Sequence, residues 1–170
     1  MLRTDDREDG KLILTCHVDA SYLTHADSKS HTGYCLSFGK IGTFYSKSQK
    51  QSAVATSSTH AEGRALYSLV IDIVNLIFLC EELGRPIDLP AVVMEDNQPI
   101  IDVSSDMGKR TRKCKHFLMI LNYVREQVQL GLIELRKIGT KENFIDVLTK
   151  IVGGSQFHRQ SEQLRGDAPN

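Results

Sequence analysis

Apolar and polar positions follow one another along the chain in an order that spells out a succession of elements. Residues 11–18 form an apolar run with little alternation (Leu12, Ile13, Leu14, Cys16, Val18), the pattern of a strand covered on both faces. Residues 20–32 are polar and turn-like. Two alternating stretches, 32–39 and 41–47, are separated only by Gly39 and Lys40, which predicts a β-hairpin. After a polar stretch, Ala61, Ala65, Leu66, Leu69, Ile73, Leu76, Ile77 and Leu83 recur at three-and-four spacing. That spacing predicts a long core-facing helix, stopped by Gly84 and Pro86. A short strand over 90–95 comes next, then a short helix over 99–103 and a helix over 111–129. An alternating strand over 132–138 and a last helix through Lys150, introduced by Thr140 and Asn143, complete the series.

Three strands, a helix, a strand, helices, a strand and a helix predict an α/β fold. The sheet should be mixed and five-stranded, an antiparallel meander joined by parallel strands, with helices on both faces. Residues 1–10 read as a polar lead-in, 11–150 as one domain, and 151–170, beyond Gly153 and Gly154, as a polar tail. No internal repeat and no second domain is visible.

Composition narrows the picture. The 170 residues suit one domain with a real core. No apolar run has the length needed to cross a bilayer and the charged N-terminus is unlike a signal peptide, so no membrane partner is expected. Cys16, Cys35, Cys80 and Cys114 form no CxxC pair and the six histidines lack ligand spacing, which favours reduced, partly buried thiols over zinc or disulfides. The formal net charge of +0 argues against a uniformly basic nucleic-acid binder. Charge is unevenly placed, however: 109–116 (KRTRKCKH) is a basic run, and charges act locally within a Debye length of about 8–10 Å.

Four carboxylates stand at element ends or in apolar surroundings: Asp19, Glu62, Asp96 and Asp146. Each has an ordinary structural account. Asp19 can start a turn, Thr59-x-x-Glu62 has the form of a capping box, Asp96-Asn97 can cap the next helix, and Asp146 can lie on a solvent face. Together they permit another account. Buried carboxylates need partners or a cation, and Asp19 and Asp96, each following a strand, are placed to be neighbours at a sheet end.

The motifs around these acids occur in a particular order. His17-Val18-Asp19-Ala20-Ser21 is followed by Ser30-His31-Thr32-Gly33-Tyr34, and Tyr45-Ser46-Lys47 by Ser57-Ser58-Thr59-His60-Ala61-Glu62. Then come Glu95-Asp96-Asn97-Gln98, Lys113-Cys114-Lys115-His116 and Asn143-Phe144-Ile145-Asp146-Val147-Leu148-Thr149-Lys150. In this order and spacing, over about residues 12–150, the chain resembles the ribonuclease H domain of copia-type LTR-retrotransposon polyproteins.

The resemblance implies a ribonuclease H-like fold and metal-dependent hydrolysis of the RNA strand of an RNA/DNA hybrid. It matches Asp19, Glu62, Asp96 and Asp146 to the metal-binding catalytic acids, with two Mg²⁺ ions as cofactor and Mn²⁺ able to substitute. Hard cations of this kind prefer oxygen ligands, and two of them about 3.5–4 Å apart can serve phosphodiester hydrolysis. Ser21, Ser58, Asn97 and Gln98 would read the 2′-hydroxyl, while Lys113, Lys115 and His116 would hold phosphates. The implied partners are the hybrid and an upstream reverse transcriptase domain, and the implied location is a cytoplasmic virus-like particle. Two rival functions are a non-catalytic hybrid-binding module and an integrase-type strand transferase, whose acidic triad has a different order. The sequence departs from the family's pattern at Ile145, where alanine is usual, and at Gly63, where a bulkier residue is common. Ile145 is expected to tilt the last helix, and Gly63 to loosen the turn beside Glu62.

Overall fold

The computed structural model of the protein describes residues 12–39, 42–105, 115–140 and 142–167. β1 (Ile13–Ser21) lies at the centre of a five-stranded sheet of order β3-β2-β1-β4-β5. β2 (His31–Phe38) pairs antiparallel with β1, and β3 (Tyr45–Lys50) antiparallel with β2. On the other side β4 (Asp88–Glu95) runs parallel to β1, and β5 (Ile133–Lys137) parallel to β4. This is the expected mixed sheet. Burial along Ile13–Val18 alternates where cover of both faces was expected: Leu14, Cys16 and Val18 are fully buried on one face, while Ile13, Thr15 and His17 on the other are half-buried.

α1 (Ser58–Glu82) lies along the sheet and presents the predicted stripe, with Ala61, Ala65, Leu66, Leu69 and Ile73 fully buried. Its 25 residues are long and apolar enough, by length and composition, to cross a bilayer, contrary to expectation, but in the fold this stripe covers the sheet. Tyr34 of β2 ties sheet to helix, its hydroxyl donating to Asp72 Oδ2 at 2.5 Å. α2 (Gln98–Ser105) and α3 (Lys115–Gln129) follow β4, and Phe117, Leu121 and Val124 of α3 join the core.

Four elements differ from the expectations. β1 extends to Ser21, so Asp19 lies inside the strand rather than after it. β3 begins at Tyr45: Thr43 is drawn away, donating its amide to Leu164, while Phe44 stays on β2, bonding Leu36 and stacking on Phe38 with ring centroids 4.6 Å apart. The last predicted helix shrinks to α4 (Asp146–Thr149), because Asn143 is drawn into the interior, where its Nδ2 donates to the Val18 carbonyl at 2.9 Å. The polar tail contains a helix, α5 (Gly154–Arg165), whose few apolar residues gave no periodic signal. Residues 1–11, the Lys40-Ile41 part of the predicted hairpin turn and the beginning of the 111–129 helix lie outside the described residues.

Candidate metal centre

Asp19, Glu62 and Asp96 come from three elements and meet at one end of the sheet, with a carboxylate oxygen from each within 4.8 Å of the others. β1 supplies Asp19 from the sheet's middle, opposite Gly33 of β2. α1 supplies Glu62 from its first turns. The helix is capped by Ser57, whose side chain accepts the His60 amide, so Thr59 is not the cap and Glu62 is not the closing residue of a capping box. Asp96 directly follows β4, and Lys137 of β5 holds its backbone carbonyl.

Asp146 arrives by a different route. Asn143 anchors the preceding loop to β1, Phe144 packs on the His17 ring with centroids 4.4 Å apart, and Ile145 is fully buried. α4 then lies directly on β2 at Gly33, where a Cβ would come 2.5 Å from Thr149 Cγ2 and 2.9 Å from Leu148 Cβ. That close approach carries the end of α4 to Asp19: the Thr149 hydroxyl donates to Asp19 Oδ2, and Lys150 Nζ lies 3.5 Å from the same oxygen. The Asp146 side chain, 20% exposed, is not enclosed by its apolar neighbours; its Oδ1 receives Lys150 Nζ at 2.5 Å. It stands near Asp19 but outside the group formed by the other three acids.

A fifth carboxylate, absent from the expected site, lies beneath. Glu95 is 0% exposed. A two-residue period places it on the face of Ala91 and Val93, both fully buried, and that alternation was the available signal. Its Oε1 accepts the Asn97 amide at 2.9 Å, while its Oε2 and the Oε2 of Glu62 are both buried without a hydrogen-bond partner among the described residues. Burial pushes the Glu62 carboxyl well up, and the neighbouring charges of Glu95, Asp19 and Asp96 push it the same way. Burial is also the main reason the Glu95 carboxyl is raised, with Asp96 and Asp19 adding to it. Asp19 is raised by burial too, against the opposing effects of the Thr149 hydrogen bond and Lys150. Crowded acids with a buried oxygen left unpartnered among the described residues lack positive charge. A hard divalent cation with oxygen ligands fits that deficit.

The expected substrate-reading residues are distributed unevenly. Ser21 is buried at the end of β1, and Ser58 opens α1. Asn97 and Gln98 serve α2 itself: Asn97 Oδ1 accepts the Ile100 amide at 3.2 Å and Gln98 Nε2 donates to Asp102 at 2.8 Å. Lys115 and His116 begin α3, and Lys113 lies outside the described residues. Gly63 has a packing reason that the sequence did not show. A Cβ there would come 2.6 Å from Phe117 Cε2, so its missing side chain admits α3 against α1.

A central antiparallel β-meander extended by parallel strands, with acids gathered at one sheet end, defines a ribonuclease H fold. Solved structures agree. LC11-RNase H1, isolated from compost, matches with a TM-score of 0.60 at 13% identity, covering 81% of this chain and 92% of that one. The same enzyme in complex with an RNA/DNA hybrid matches with a TM-score of 0.58 at 15% identity, covering 80% and 93%. No protein-family model matches the chain. Among curated proteins, the Retrovirus-related Pol polyprotein from transposon TNT 1-94 of Nicotiana tabacum is 34% identical over 146 residues, 85% of this chain. This chain spans only 11% of that relative's length. The relatives of this chain are thus copia-type retrotransposon Pol polyproteins, and its fold is that of ribonuclease H domains.

Proposed function

We propose that this domain is a divalent-cation-dependent endonuclease that hydrolyses the RNA strand of RNA/DNA hybrids during reverse transcription of a retroelement. The observation that carries the proposal is the convergence of Asp19, Glu62 and Asp96 within 4.8 Å, with a buried Glu62 oxygen left unpartnered. The relatives' identity as Pol polyproteins and the hybrid bound by LC11-RNase H1 support the choice of substrate.

Asp19, Glu62 and Asp96 would hold Mg²⁺, or Mn²⁺ in its place, with Asp146 contributing to a second ion. When bound, such ions supply an activated water and stabilise the leaving 3′ oxygen. The chain's own residues fix the geometry: the sheet holds Asp19 rigidly, Thr149 orients its carboxylate, and the Asn97 amide turns Glu95 inward beneath the acids. No side chain is needed as a covalent nucleophile. Ser21 and Ser58 are the small polar groups proposed to face the RNA 2′-hydroxyl, and Lys113, Lys115 and His116 the phosphates. An upstream reverse transcriptase segment of the same polyprotein is the proposed partner, and a cytoplasmic virus-like particle the proposed location.

The deciding experiment is cleavage of a labelled RNA/DNA hybrid with Mg²⁺, comparing the protein with Asp96→Asn. Cleavage by the parent and its loss in the variant are expected. Equal activity in both removes the assignment, and metal-insensitive hybrid binding without cleavage favours a non-catalytic module.

A further inference from the structure

Lys150 follows α4 and places its ammonium inside the acidic site. Nζ lies 2.5 Å from Asp146 Oδ1 and 3.5 Å from Asp19 Oδ2, and its charge also reaches Glu62. The placement is built into the backbone. Lys150 is one turn beyond Asp146, its amide bonds the Asp146 carbonyl at 2.8 Å, and its neighbour Thr149 is anchored on Asp19. Among the described residues, Asp146 Oδ2 has only a long contact of 3.5 Å with Gln156 Nε2. Asp19, Glu62 and Asp96 lie close enough together to share one cation, while Asp146 stays outside that group with an oxygen committed to the lysine.

Resting on the cation-site proposal, we infer that Lys150 is a displaceable internal counter-ion that competes with divalent cations for Asp146 and so limits their loading. The ammonium satisfies part of the site's need for positive charge. It sits on a flexible stem whose side chain is 42% exposed, so it can withdraw without disturbing the core. Asp146 is thus a conditional ligand: its Oδ1 is available only when Nζ leaves, and until then the ammonium weakens the pull of Oδ2 on a cation. A purely structural tie predicts the reverse. If Lys150 merely holds Asp146 in position, its removal lets the carboxylate stray and weakens cation binding.

The test is Mn²⁺ binding to the metal-free protein, followed by calorimetry and by the Mn²⁺ resonance signal. Lys150→Gln and Lys150→Met, the second keeping the apolar stem, should each bind Mn²⁺ roughly five- to tenfold tighter than the parent. Lys150→Arg should stay close to the parent, and adding Asp146→Asn to Lys150→Gln should abolish the gain. Unchanged or weaker binding in both neutral variants, alongside Mn²⁺ binding by the parent that Asp96→Asn weakens, overturns the role of Lys150 and leaves the cation site standing. A parent that binds Mn²⁺ no better than Asp96→Asn overturns both.

Discussion

Gly33 of β2 stands directly opposite Asp19 of β1 in the antiparallel register, and the same glycine is the floor on which α4 rests. One position therefore sets both the backbone environment of the first acid and the height of the helix that carries the fourth.

Gly33→Ala should be disruptive out of proportion to its size. The new methyl would stand 2.5 Å from Thr149 Cγ2 and 2.9 Å from Leu148 Cβ, so α4 must lift. A loss of about 1–3 kcal/mol in chemical unfolding is expected. Cation binding should fall with it, because Thr149 loses its hold on the Asp19 carboxylate. A variant with parental stability and affinity would contradict this packing account.

Asn143→Ala should act on the loop that delivers Asp146. The side chain is buried and joins the Val18 carbonyl to the loop, so its loss leaves a buried acceptor without a donor. The cost should be about 1–3 kcal/mol, and amide exchange over 143–150 should speed up more than in β1 or β4. Uniform acceleration across the sheet would argue against a local anchor.

His17 should make stability depend on pH. Burial lowers its folded pKa to about 4, below the ordinary 6.5, so the unfolded chain binds the proton more readily. Its contribution is intact above pH 6.5 and is lost as pH falls toward 4, about 3 kcal/mol in all. Glu62 and Glu95, whose folded carboxyls are raised, work in the opposite sense and gain stability as pH falls. The comparison must therefore be made by difference: between pH 7 and pH 5 the parent should lose more stability, or gain less, than His17→Gln in urea unfolding. Parallel curves would remove the histidine from the account.

Tyr34→Phe provides a control away from the acids. It deletes the hydroxyl that bonds Asp72 at 2.5 Å between β2 and α1, and should cost about 1–2 kcal/mol. Mn²⁺ affinity should not change. A change would mean that α1 transmits strain from Asp72 to Glu62.

Much of this architecture was legible in the residues, and the exceptions have particular causes. β1 and α1 declare themselves because each buries a continuous apolar surface, which leaves an unambiguous pattern. Glu62 offered two readings that only geometry separates: the cap is Ser57, two residues earlier than the Thr59 pattern suggested. Glu95 was passed over because a charged residue at a strand end ordinarily faces water, whereas here the two-residue period continues into the interior. α5 left no trace because a mostly polar helix lacks an apolar stripe, its place being set partly by the bond from Thr43 to Leu164. The contact of α4 with Gly33 spans more than a hundred positions of chain, and no local pattern encodes it.

Asp19 belongs to a strand with hydrogen-bonded neighbours on either side, whereas Asp146 opens a helix of only four residues. The two walls of the site thus differ in stiffness. Local opening is cheapest where few backbone bonds must break, so the site yields first at α4. The central sheet is the stiff wall of the site, and that short helix the yielding one.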